Sequence, residues 1–404
     1  MWHRSLALLC ALNIGLACRP PPPANSEDLG PSPDLAQPPD LQMVPDLRAD
    51  LQAAPDLQMA PDLQAPPCPY GQERVDGVCQ CKASHPNICP SATHCCAQVQ
   101  QCLPGGLCSS PTARQRHGLA YDPSRQSLVI FGGLGAMGVV LSDTWELDPV
   151  TFSPIVAAMG PSARFGHAMS YDGNSRRILL FGGRLANNTL SGETWSWNGA
   201  SWTQLAPTRS PEARDLHAMA YDSVRRRLVL FGGTNAMNIS QNDTWEWNGT
   251  DWELRSPPTR PSAREGHAMA YDSVRHQVVL FGGYIGGVGY SNETWLWDGA
   301  TWTRPTLAVT PPPRAYFGMA FDEERRVVVM FSGETPGTMA LDDTWEWDGT
   351  SWSRKMPPSS PPRRTNHRMA YDAGRKRVLL YGGVTSAVDR DVWAWDGFTW
   401  TRLY

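Results

Sequence analysis

Six arginines recur every fifty residues, at Arg114, Arg164, Arg214, Arg264, Arg314 and Arg364, and each copy also carries an acid, at Asp143, Glu193, Asp243, Glu293, Asp343 and Asp391. A guanidinium presents a planar fork of donors that matches a carboxylate, so a ring of arginines would grip an acidic peptide or a carboxylated sugar. Acid and base at equal period also allow a second outcome, in which the two pair with each other and serve the repeat. Histidines keep the same interval at His117, His167, His217, His267 and His367. One imidazole per copy is too dispersed for a shared metal ion with nitrogen distances of about 2 Å. Hydrogen bonding between copies is therefore expected, and no metal. Asp215, Glu265 and Asn366 replace one another at neighbouring positions and are either a general base or loop polar groups. No nucleophile–base pair of the kind an active site needs stands apart from the repeat, so no catalytic residue and no cofactor is assigned.

The elements that must position these groups come from one unit copied six times. Residues 217–233 read HAMAYDSVRRRLVLFGG. Residues 217–222 alternate His, Met and Tyr with Ala, Ala and Asp, which describes a strand, a. Residues 227–231 are apolar on both sides, which describes a second strand, b, that must be covered twice. The polar turn at 223–226 joins them as an antiparallel hairpin. Strand c follows at 243–247, and Asn248-Gly249, which accepts a tight hairpin turn, leads back into strand d around Trp252. Four antiparallel strands per unit, a period near fifty and no helical pattern predict a β-propeller over residues 111–404. Of the 17 tryptophans, all but Trp2 fall in strands c and d, where the widening space between blades needs volume.

The apolar run ending in Gly182-Gly183 or Gly232-Gly233 is followed by Trp195 or Trp245, and then by Trp202 or Trp252. This pattern resembles kelch-repeat β-propellers, including the central domain of galactose-oxidase-like proteins. The resemblance implies an all-β, six-bladed kelch fold and says little of activity, because that fold hosts binders and enzymes alike. Galactose-oxidase-like enzymes use copper with a cysteine cross-linked to a tyrosine radical; no cysteine follows Cys108, so that cofactor cannot be assembled within this propeller. Some similar six-bladed proteins are sugar epimerases that use metal-free acid–base chemistry in the central pocket. The first copy departs from the pattern with Leu147 and Phe152 in place of Trp, and the fifth with Phe317 for His and Ser332 for Gly. Copies begin at strand a and end at strand d, so blades one and six are expected to pack face to face, braced by the cysteine segment, with no shared strand.

Arg4 followed by the apolar run 6–17 reads as a secretory signal peptide over residues 1–17. Cys18 after Gly15-Leu16-Ala17 resembles a bacterial lipobox, which implies a lipid anchor at the cell envelope; ordinary cleavage and secretion is the alternative. Residues 18–67 hold that anchor site and a linker repeating Pro-Asp-Leu, a composition that stays unfolded and reaches about 150 Å at ~3.1 Å per residue. Cys68, Cys79, Cys81, Cys89, Cys95, Cys96, Cys102 and Cys108 then crowd residues 68–108, which implies a small disulfide-rich module in an exported chain. A net charge of −4 points to no nucleic acid, and to a membrane only through Cys18.

In an antiparallel blade the b–c loops and d–a connections share one face, and the a–b and c–d turns share the other. The turn face repeats itself, as at Asn198-Gly199, Asn248-Gly249 and Asp348-Gly349, whereas the b–c loops differ in every copy. Function concentrates on variable loops held by a rigid frame. The ligand contacts expected on that face are the five arginines from Arg164 to Arg364, with Asn235, Tyr284 and Tyr290. The function expected is recognition of an extracellular protein or glycan at the cell surface. A sugar-modifying enzyme acting in the central pocket is the alternative.

Overall fold

The computed structural model describes residues 110–404, apart from 149–151, 156, 158 and 338–339, together with four short strands among residues 72–108. Those four form two hairpins, Gln72–Val75 with Val78–Cys81 and Cys102–Leu103 with Leu107–Cys108. The expected signal segment, Cys18, the expected linker and the side chains of the eight clustered cysteines lie outside the described residues, as does any bracing of the ring by the cysteine segment.

Residues 110–404 form an all-β, six-bladed propeller. The third blade shows the pattern: strand a is Ala218–Asp222, b is Arg227–Phe231, c is Thr244–Trp247 and d is Trp252–Arg255, all antiparallel in the order a-b-c-d. Each of the six blades has these four strands in this order. Strands a and c begin one residue later than the sequence pattern suggested. A short extra pairing, Arg214–Asp215 with Thr234–Asn235, ties the d–a connection to the b–c loop and puts both on one face.

Strand b is apolar on both sides because it serves two interfaces. Val229 and Phe231 pack with Met269, Leu280 and Trp295 of blade four, while Leu228 and Leu230 pack with Leu179 and Phe181 of blade two. Among the described residues, six such clusters lie one at each interface, including that between blades six and one. Each buried side chain of this size contributes roughly 1.5–3 kcal/mol. The Gly-Gly pair follows from blade spacing: the Gly183 N–H donates to the Arg214 carbonyl of the next blade at 2.8 Å. A Cβ on Gly182, where φ is +71°, would sit 2.6 Å from that oxygen. In blade five Ser332 takes the same left-handed conformation, at φ 58°, and its hydroxyl accepts from the Arg364 N–H at 2.9 Å.

Face-to-face packing of blades one and six closes the ring. Leu128, Leu147 and Phe152 of blade one meet Leu379, Val392 and Ala394 of blade six, with Leu403 and Tyr404 against them. The departures noted in the first copy belong to this seam. At the other five interfaces a strand-d Trp indole donates to a Thr hydroxyl of the preceding blade, as Trp202 to Thr144 and Trp400 to Thr344, both at 2.9 Å. At the seam Phe152 has no N–H and Val392 no hydroxyl, so donor and acceptor are absent together.

Candidate functional site

The structure corrects the expectation that Arg164, Arg214, Arg264, Arg314 and Arg364 are open to a ligand. All six arginines of the series are 0–1% exposed. Arg314 is representative: Nη1 donates to the Ser332 carbonyl at 2.8 Å and to Asp343 at 2.7 Å, Nη2 to Asp343 at 2.7 Å, and Nε to the Pro312 carbonyl at 3.1 Å. The Trp345 indole donates to the same carboxylate at 2.7 Å. This Arg–acid–Trp unit recurs in every blade. Burial opposes ionisation of the acids, but the arginine and the indole outweigh it and hold all six carboxyls below their ordinary range. The unit fastens the d–a connection to strand b and to the start of strand c. It frames the site and is not the site.

The histidines turn edge-on to an aromatic ring of the preceding blade: His167 to Phe131, His217 to Phe181, His267 to Phe231, His367 to Phe331 and His117 to Tyr381. Burial, reinforced by nearby arginines, pushes every one of these imidazoles well down, His267 to about 3. They are neutral interblade wedges, a role that Phe317 fills in blade five against Phe281. The expected hydrogen bonding between blades is made by His367, whose Nε2 accepts from the Gly318 N–H at 3.0 Å.

A feature the sequence did not reveal lies at the axis. Arg116, Gly166, Leu216, Gly266, Tyr316 and Asn366 each precede the histidine position and all have φ between 52° and 69°. Each N–H donates to the carbonyl of its counterpart in the preceding blade, at 2.7–3.0 Å, and the N–H of Arg116 donates to Asn366. The six bonds form a closed backbone belt. Only the glycines and Asn366 are residue types that favour this conformation, so the sequence signal is faint.

Side chains gather around the belt. Arg116 donates to Asn366 Oδ1 at 3.1 Å and lies over the Tyr316 ring, with 5.6 Å to its centroid. The Tyr316 hydroxyl donates to Glu265 at 3.0 Å, Thr234 also donates to Glu265, and Arg184 donates to Asp215 at 2.9 Å. Burial raises the carboxyl of Asp215, and its Oδ1 has no partner among the described residues. Below the belt the inner strands line a partly open cavity of about 100 Å³, where Leu119 and methionines such as Met219 and Met319 meet the polar Tyr316, Asn366 and Arg368.

The loop candidates divide. Asn235 is buried, and its Oδ1 accepts from the Met237 and Ile239 N–H groups at 3.1 Å, so it shapes its loop from within. Tyr284 is 36% exposed and packs edge-on to Tyr290, whose hydroxyl donates to Glu334 of the next blade. Burial, and then Glu334, push the Tyr290 phenol up. What the sequence reading missed is the apolar character of the loop tips. Met137 is 99% exposed, Met237 69% and Val288 79%, with Val139 and Ile239 beside them. Exposed methionine and β-branched residues between turn signals would have been the signal.

A family model described as the KLHDC2/KLHL20/DRC7 Kelch-repeats domain matches residues 195–383. No curated protein sequence matches the chain. Among solved structures, the one titled "Structure of YjhT" superposes with a TM-score of 0.55 at 13% identity, covering 73% of this chain and 99% of that one, which is a likeness of fold.

Proposed function

We propose that the chain, whose residues 110–404 form a six-bladed propeller with a kelch-repeat match over residues 195–383, is an exported binding protein, held at the cell envelope through Cys18, that takes an extracellular protein on its b–c and d–a loop face. The observation that carries this reading is the set of exposed apolar residues at the tips of the b–c loops, Met137, Val139, Met237, Ile239 and Val288. Exposed methionine and β-branched side chains on variable loops suit a protein partner better than a glycan. The test uses the full chain as bait for extracellular proteins and glycans, with M237D/V288D altering the loop face and F398D altering the turn face. Capture of a protein that M237D/V288D abolishes and F398D leaves intact supports the reading. A glycan as the sole ligand, or loss through F398D alone, contradicts it.

A sugar-modifying enzyme is favoured by one observation, the buried Asp215 carboxylate with an unpartnered oxygen beside Glu265 and Tyr316. A carboxyl raised by burial is suited to general acid–base work. Turnover of acidic sugars that D215N abolishes would establish this second reading.

A further inference from the structure

We propose that the axial cavity below the belt binds a small organic carboxylate, held by Arg368. The position breaks the repeat: its counterparts are Gly118, Ala168, Ala218, Ala268 and Gly318, so an arginine stands there in blade six alone. Arg368 lines the cavity, and its charge acts on His117, His167 and His217 of three other blades as well as on His367, which puts the guanidinium near the axis.

The six arginines that frame the blades are all paired with acids, but Arg368 is not. Among the described residues its guanidinium makes a single, long hydrogen bond, from Nη1 to the His367 carbonyl at 3.5 Å. Among the described residues no carboxylate makes an ion pair with it, and the charge acting on it is that of another cation, Arg116. Burial and Arg116 together push the guanidinium down to about 10. The remaining walls combine methionines, His217, His267 and Phe317 with the polar Tyr316 and Asn366 of the belt.

Arg368 is half-buried, so its guanidinium faces the cavity with no acid beside it, and its planar fork fits a carboxylate. The cavity volume of about 100 Å³ lies below the ~300–1,000 Å³ of sites for drug-sized ligands. A carboxylate with a short alkyl tail fits both the charge and the methionine side chains. This site is independent of the loop face.

Thermal unfolding of the full chain in sodium butyrate, against sodium chloride at equal ionic strength, tests the proposal. Once butyrate reaches ~10 times its Kd, Tm is expected to rise by about 2–4 °C. R368A restores the alanine found in three other blades, so it should fold and should lose the shift; R368K keeps the charge without the fork and should retain part of it. Three results would overturn the proposal: no shift in the parent chain, an equal shift in R368A, or an equal shift with neutral butyramide. A shift with inorganic phosphate as large as that with butyrate would overturn the assignment to an organic carboxylate.

Discussion

At the scale of single residues, the repeated polar groups belong to the frame. Arg314 and Asp343 are both nearly inaccessible, so R314A leaves a buried carboxylate without its partner and should destabilise the domain by about 3–5 kcal/mol. Denaturant unfolding measures this; an R314A protein of parent stability that had lost partner binding would return the arginine to the site. The histidines make stability depend on pH. Folded His267 titrates near 3 against an ordinary 6.5, so between those values the unfolded chain binds more protons and stability falls as pH drops below about 6.5. The six acids lose their stabilisation only lower, as pH falls below the ordinary carboxylate range. Replacement of His267 by phenylalanine, the residue blade five carries, should flatten the slope by about 1.4 kcal/mol per pH unit within that window. Urea midpoints measured from pH 7 to pH 5 check it. Periodicity alone could reveal these groups, but not whether they face a ligand or each other, because pairing within a blade and exposure at its rim leave the same spacing.

At the scale of elements, the blades were legible strand by strand, because an alternating strand, a doubly apolar strand and an Asn-Gly turn each have a local signature. What the sequence did not disclose depends on neighbours. Blades one, three and five carry Glu146, Glu246 and Glu346 on strand c, which accept from Trp197, Trp297 and Trp395 of the following blades. Leu296 stands at that place in blade four, and Trp347 Nε1 is left buried without a partner. Arg275 of the same blade pairs with Asp272, so L296E should supply an acceptor for Trp347 and a second carboxylate for Arg275, raising stability by about 1 kcal/mol. No change in the denaturation midpoint, or a loss, would contradict that account of the interface.

At the scale of the whole molecule, the closing seam and the variable face are what distinguish this ring from six equal copies. Val392 lies against Phe152, which has no polar group to offer, so V392T alone should cost about 1–3 kcal/mol, and F152W in the same chain should recover much of it by restoring the Trp–Thr bond of the other interfaces. Fold and blade number were legible because six copies repeat one pattern. The axial belt was not, since it arises only when the ends of the ring meet; Arg368 breaks the Gly/Ala repeat in the sequence, but only the closed ring shows that it lines the axial cavity. The central claim is that the repeat builds the frame and the b–c face meets the partner. Hydrogen exchange of the chain, free and bound to a captured extracellular protein, tests it most directly. The account predicts protection over residues 136–139, 236–240 and 285–289, with turns 198–201 and 348–351 unchanged; protection confined to those turns would contradict it.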